Sequence, residues 1–362
     1  MNGMSQPSIP WRTPGRPLPE PPEPDPITES TVVREKLRPL RRYLDAAGVL
    51  EVCVNRPREV WVQGEGGWTR HDEPQATFRH LQELATAVAT LTGQHTAERH
   101  PLLSASLPSG ERIQFVQPAA ALPDTVVVAM RKPSAALRRI DELDAGGMFR
   151  KVRAADDGPD LADELLLTLQ KAGRWGAFLR TAVRARKTIA LCGATGSGKT
   201  TFLKALCAEI PAEERLITIE DAAELTLPDR GNKVHLFYSK GGQGASEVTA
   251  SSLLEACLRL KPDRIIQAEL RGEEACAFLD LAASGHPGSM TTLHAGSCDE
   301  AFDRIALMVR KSAAGGGMTM AEIGHLARSV IDIVVHVACE DGTFAVTGVH
   351  FDPLCRTRRL HG

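Results

Sequence analysis

Apolar positions in TVVREKLRPLRRYLDAAG, from Thr31 to Gly48, recur at helical spacing and stop at a glycine, which predicts a helix. VLEVCVN and EVWVQGEGGWTRH then alternate apolar and polar residues, as half-buried strands do. A helical pattern over residues 76 to 92 separates them from LLSASLPSGERIQFVQ and TVVVAMRK, which alternate again, with Ser109-Gly110 as a hairpin signal. Residues 31–135 therefore read as an α+β domain. From 136 to 186 the period turns helical, in SAALRRIDEL, DLADELLLTLQKAG and WGAFLRTAVRA, with RAADDGPD as a linker signal. From 187 to 362 short apolar strands alternate with helices, the mark of a mostly parallel, doubly wound sheet. Residues 1–30, centred on RPLPEPPEPDP, have no core-forming pattern and predict an extended tail; the alternative is a PxxP ligand.

Composition narrows the class. A chain of 362 residues is long enough for two cores, and its net charge of −2 argues against a broad nucleic-acid-binding face. No apolar run reaches the length of about 20 residues that spans a bilayer, and the N-terminus lacks the apolar core of a signal peptide. The eight cysteines form no C-x-x-C pair, so no zinc or redox motif is readable and inert reduced thiols are expected. The expectation is a soluble, cytoplasmic protein.

Four strand ends carry the chemistry. TIALC is a buried strand, GATGSGKT matches G-x-x-x-x-G-K-[ST], and TTFLKALCAEI continues as a helix. Gly193, Ala194, Thr195, Gly196, Ser197, Gly198, Lys199, Thr200 and Thr201 are the candidate nucleotide-binding residues. The glycines let backbone N–H groups curl around a phosphate, Lys199 reaches the β- and γ-phosphates of ATP, and the Thr200 hydroxyl ligates Mg²⁺. RLITIEDAAEL ends on Glu220 and Asp221, where a carboxylate could orient the attacking water; a solvated strand end is the plainer alternative. PDRIIQAELRGEEA brings Glu269, a candidate magnesium-holding acid, with Arg271 two residues on. GSMTTLHAG carries His294 to the same edge, where an imidazole can bond the γ-phosphate, whereas His286 in GHPG reads as a turn histidine. In the first domain Arg112 opens RIQFVQ and Arg131 closes VVVAM. The two could form a fork for phosphate oxygens across the domain cleft, or simply cap exposed strands.

Taken together, GATGSGKTT, ITIEDAAEL, the YSKGGQGASEVT to LLEACLRLKPDRIIQAELRG region and SGHPGSMTTLHA resemble the hexameric traffic ATPases of type IV secretion and conjugation systems, within the secretion/pilus-assembly ATPase superfamily. GVLEVCVNRPREVWVQGEGGWTRH and VVVAMRKPS look like that family's N-terminal domain. The resemblance implies a RecA-like P-loop ATPase domain with a separate α+β N-terminal domain joined by a helical linker. It assigns nucleotide, magnesium, catalytic and γ-phosphate-sensing roles to Lys199, Thr200, Glu220, Glu269, Arg271 and His294. It also implies a six-membered ring at the cytoplasmic face of the inner membrane, in peripheral contact with it. Partners would be secretion-channel components and companion ATPases, with exported protein or DNA engaged indirectly. One departure is Ala268, where most relatives carry glycine before the acid. The competing readings are a nucleotide-switched assembly scaffold and a DNA translocase or helicase-like ring.

Overall fold

The computed structural model describes residues 31–133, 138–150, 152, 160–239, 244 and 246–353. The Pro-rich tail, Gly241–Gln243 of the GGQG loop and the RAADDGP part of the connector lie outside the described residues.

The first domain is a six-stranded antiparallel sheet made of β1 (Glu51–Arg56), β2 (Glu59–Gly64), β3 (Gly67–Asp72), β4 (Leu102–Ser106), β5 (Arg112–Val116) and β6 (Val127–Arg131), in the order β3-β2-β1-β6-β5-β4. The helices α1 (Thr31–Leu44) and α2 (Phe78–Leu91) cover one face, burying Leu37, Leu40, Leu81, Leu84 and Val88 against Val52, Val54, Phe115, Val128 and Met130. Period-two alternation sends the smaller side chains of Cys53, Val116, Val127 and Ala129 to the other face, where they join the core of the second domain. The Ser109-Gly110 turn closes β4 on β5: Gly110 takes a φ of 94° and Leu107 N–H donates to Glu111 O at 2.8 Å.

The second domain is a seven-stranded sheet with β7 (Ile189–Cys192), β8 (Leu216–Glu220), β9 (Lys233–Phe237), β10 (Arg264–Leu270), β11 (Met290–Leu293), β12 (Ile333–Glu340) and β13 (Thr343–Phe351). Its order is β13-β12-β7-β11-β10-β8-β9, with every neighbouring pair parallel except β12 and β13. Between the strands run α6 (Lys199–Ala208), α7 (Ala250–Leu260), α8 (Glu274–Ala283), α9 (Cys298–Lys311) and α10 (Met320–Val330). Of the connector helices α3 (Ile140–Ala145), α4 (Leu161–Lys171) and α5 (Trp175–Arg184), the last two belong to this domain's core. Leu166, Leu169, Phe178, Ala182 and Val183 pack with Ile189, Leu191, Leu203 and Ile333, so the connector helices are structural members of the sheet's cover from Leu161 on.

The two domains meet over α7 and the edge strand β9. Arg215, with no solvent exposure, donates from Nη1 to Asn55 Oδ1 and Asn232 Oδ1 at 2.5 and 2.7 Å and from Nε to Leu260 O at 3.0 Å. Its guanidinium lies 5.6 Å from the Trp68 ring centroid, and Trp68 Nε1 donates to Asp263 Oδ2 at 3.3 Å. At the far end of β9, Phe237 N–H donates to Ala120 O at 2.9 Å. Beside Arg215, burial pushes the Glu51 carboxyl up to about 7, against the opposing pull of Arg131, Arg215 and Lys261.

That shift fixes the sign of a pH effect. Because the folded value is raised, the stability Glu51 permits is complete below the ordinary carboxyl range and is lost as pH rises through about 7. At about 1.4 kcal/mol per unit the loss approaches about 3 kcal/mol near pH 8. Glu51→Gln should therefore raise the melting temperature near pH 8 and change it little near pH 5, in paired thermal melts; an equal effect at both pH values would contradict the burial argument.

Candidate active site

The phosphate-loop motif spans the end of β7 and the start of α6. Gly198 caps α6 with a φ of 87°, a left-handed geometry that suits glycine. Gly193 is required for a different reason. A Cβ there would fall 2.1 Å from Val337 O and 2.6 Å from Ser197 Oγ, so only glycine lets β12 lie against the loop. Ala194, Thr195 and Gly196 are exposed, Ser197 is buried, Thr200 is half-buried and Thr201 is exposed at the first turn of α6. The Lys199 ammonium donates to Gly193 O at 2.9 Å and Ala194 O at 2.7 Å. Burial lowers its pKa, partly opposed by the charge of Glu269. A cavity of about 590 Å³ opens beside the loop, lined by Thr195, His294, Arg304, His336 and Glu340 among others.

The other candidates arrive through the strand order. β11 sits between β7 and β10, with Cys192 opposite Leu293, so His294 emerges beside Gly193. On the other side of β11, Gln267 pairs with Thr291 but Leu270 pairs with Leu293, a register shift that makes Ala268-Glu269 a bulge. A bulge re-aims a side chain, here Glu269. The Ala268 methyl group packs against the core shared by β7 and α6, and Ala268 O accepts from Thr292 Oγ1 at 2.8 Å. The alanine thus fits where relatives were expected to carry glycine. Glu269 Oε2 lies 2.5 Å from Arg271 Nη2 and Oε1 lies 2.9 Å from His294 Nε2. Burial raises the Glu269 pKa, but Arg271, His294 and Lys199 outweigh it and hold the carboxylate below its usual range.

Three other candidates stand elsewhere. Glu220 ends β8 at the same edge, yet it is only 1% exposed and its carboxylate faces inward. Oε2 accepts the N–H groups of Glu224 and Leu225 at 2.9 and 2.8 Å, and Oε1 accepts from Thr218 Oγ1 at 2.6 Å and lies 3.2 Å from His235 Nδ1. These bonds overcome the cost of burial and lower its pKa. The carboxylate is thus engaged by its own turn, by Thr218 and by His235. Arg112 and Arg131 do lie side by side, both exposed, in register on β5 and β6. Arg131 pairs with Glu51, which feels Arg215 and Lys261, residues at the amino ends of β8 and β10. The phosphate loop is at the carboxyl end of that parallel sheet, so within one chain the two arginines stand at the opposite edge. His286, in the turn before β11, has Nδ1 3.3 Å from Leu281 O and a pKa lowered by burial.

Sequence reasoning missed the β12–β13 hairpin against the loop, where Phe344 meets Gly198, and the inward partners of Glu220. It also gave no place to Cys192 and Cys298, whose Sγ atoms donate to Ser297 O at 3.4 Å and to Val334 O at 3.5 Å. No signal at the level of spacing marks these pairs, which form only when distant strands become neighbours.

A loop of this form after a central strand, with an acid two strands away and a histidine on the strand between, defines a RecA-like P-loop nucleotide-binding domain, here behind an antiparallel N-terminal domain. Residues 33–343 match the family described as Type II/IV secretion system protein, and the chain belongs to that family. It is 44% identical over 332 residues to the type IV secretion system protein VirB11 of Brucella suis biovar 1, covering 90% of this chain and 92% of that one. It is 42% identical over 310 residues to PtlH of Bordetella pertussis, covering 83% and 88% of the two chains. The crystal structure of the VirB11 ATPase of Brucella suis, in complex with sulphate, superposes with a TM-score of 0.86 at 44% identity, covering 90% of this chain and 99% of that one.

The placement of Lys199 inside the loop and of Glu269 at its mouth separates their roles. Lys199→Ala should weaken ATP binding by at least about tenfold, because it deletes a charged phosphate contact. At saturating magnesium Glu269→Gln should keep ATP affinity within about threefold while losing hydrolysis by about a hundredfold. Fluorescent-nucleotide titration and phosphate release distinguish them, and an equal loss of affinity in both variants would contradict this assignment.

Proposed function

We propose that the chain hydrolyses ATP with magnesium as one subunit of a six-membered ring, powering export through a type IV secretion system. The observation that carries this reading is the convergence of Lys199, Glu269, Arg271 and His294 at the mouth of the phosphate loop. The phosphates of ATP lie against the loop amides and the amino end of α6, with Lys199 on the β- and γ-phosphates. The donor set fits magnesium: the Thr200 hydroxyl and the Glu269 carboxylate are hard oxygen ligands, few enough to leave places for water and phosphate oxygens. Bound there, the ion neutralises charge on the transferring phosphoryl group. With Glu220 turned inward, Glu269 is the carboxylate that faces the reaction and can also orient the attacking water. His294, 40% exposed and in contact with Glu269, stands where it can bond the γ-phosphate and register its loss.

Arg112 and Arg131 supply the missing cation from a neighbouring subunit. Their place at the amino edge of the sheet keeps them from their own loop, and a ring sets one subunit's edge against the next subunit's loop. No helix among the described residues is long and apolar enough to cross a membrane; the ring would meet the inner membrane peripherally, through channel components.

Two experiments test this reading. His294→Ala should leave ADP affinity within about twofold and lower hydrolysis by at least about tenfold; hydrolysis at the wild-type rate would remove the sensor role. Arg112→Ala/Arg131→Ala should form rings yet lose most ATPase activity. Mixing it with Lys199→Ala subunits should recover activity, since a mixed boundary pairs an intact loop with intact arginines; no recovery would place the arginines' action within one chain.

A further inference from the structure

The two acids that end β8 take opposite directions. Glu220 is consumed by the turn it closes, whereas Asp221 projects outward and its Oδ2 accepts Arg271 Nη1 at 2.9 Å. The other arm of the same guanidinium, Nη2, meets Glu269 Oε2 at 2.5 Å. One arginine therefore joins the end of β8 to the bulge of β10.

A guanidinium beside a single carboxylate prefers the two-pronged pairing that engages both oxygens. On Glu269 that pairing would cover the Oε1 side, which here stands against His294, and would set a fixed cation against any ion the carboxylate holds. Asp221 draws one arm away. Its own position is set from beneath, because the Glu220 carboxylate ties the N–H groups of Glu224 and Leu225 to Thr218 and His235. We infer that Asp221 is a positioning residue for ATP hydrolysis: it holds Arg271 to Oε2 of Glu269 and keeps it off Oε1, the oxygen that would be left to a bound ion. The inference rests on the reading of Glu269 as the magnesium-holding acid.

A plain surface ion pair is the competing account, since the Asp221 and Arg271 side chains are 27% and 45% exposed and such pairs contribute little. The two accounts differ in what the metal feels. Residues that orient a metal ligand typically change metal affinity by about tenfold or more when replaced. Asp221→Asn should therefore raise the magnesium concentration for half-maximal binding of a fluorescent non-hydrolysable ATP analogue by about tenfold, and lower kcat by a similar factor. At saturating magnesium the KM for ATP should stay within about twofold, and Asp221→Glu should recover most of the loss. In an Arg271→Gln background Asp221→Asn should add nothing further, because the route through Arg271 is already gone.

Glu269→Gln is the control that separates this inference from the one beneath it. If Glu269→Gln binds the analogue with the wild-type half-maximal magnesium concentration, the reading of Glu269 fails and the role of Asp221 fails with it. If Glu269→Gln raises that concentration but Asp221→Asn matches wild type in magnesium requirement and kcat, only the positioning role is overturned. Additive effects of the two substitutions at Asp221 and Arg271 would overturn it as well.

Discussion

The site depends on one register. Cys192 on β7 stands opposite Leu293 on β11, and Thr291, two residues earlier, stands opposite Gln267 on β10. From that alignment the phosphate loop and His294 leave adjacent strand ends at the same level. Had β10 continued regularly, Glu269 would pair with Leu293 as part of the ladder; the extra residue puts Leu270 there and leaves Glu269 outside it. A carboxylate, an imidazole and an ammonium meet because three parallel strands are hydrogen-bonded in this order. A slip of one residue would turn the alternating side chains to the other face and dismantle the site without altering any motif.

The second constraint is the junction of the domains. A fully buried guanidinium is costly unless its donors are met; Nε and Nη1 of Arg215 are met from both sides, by Asn55 of the first domain and by Asn232 and Leu260 O of the second, while Nη2 has no hydrogen-bond partner among the described residues. Moving the domains apart would strip one partner and expose Trp68, so the contact favours one docking. The same contact brings the first domain to β9, where Ala120 O holds Phe237, two residues beyond His235. His235 touches Glu220, and Glu220 closes the turn that presents Asp221. The outer edge of the sheet, the acidic turn and Glu269 are thus linked through contiguous hydrogen bonds and ion pairs.

Local chemistry was readable from the chain. The glycines and Lys199 of the loop carry their own geometry, and RIQFVQ and VVVAM are legible as short strands. What the chain does not carry is spatial order. GSMTTL follows RIIQA in sequence, yet β11 inserts between β10 and β7, and nothing in either segment encodes that place. Likewise the apolar stripe of α4 and α5 predicts helices with a buried face but not the sheet they cover, so a connector by pattern becomes part of the second core. Gly193 shows the same limit within a motif. Its need for a bare Cα is readable as loop flexibility, whereas the tightest demand comes from Val337 O on a strand 140 residues later, which only the fold brings near.

The acidic pair Glu220-Asp221 shows how the backbone divides two neighbouring acids. Both residues end the same strand at the ligand-binding edge, and the longer side chain is the natural choice for reaching a phosphate. The backbone decides otherwise. The chain turns back immediately after β8, presenting the N–H groups of Glu224 and Leu225, and a buried carboxylate at Glu220 answers both while Thr218 and His235 occupy its other oxygen. Charge at Glu220 is stabilised by donors that cannot follow it toward a nucleotide, so turning it outward would strand the N–H groups of Glu224 and Leu225, while Thr218 and His235 would keep their own contact at 2.8 Å. Asp221 meets Arg271. The work of an acid at this edge is therefore divided: one carboxylate builds the turn, and its neighbour, held in place by that turn, acts on Glu269 through a shared guanidinium.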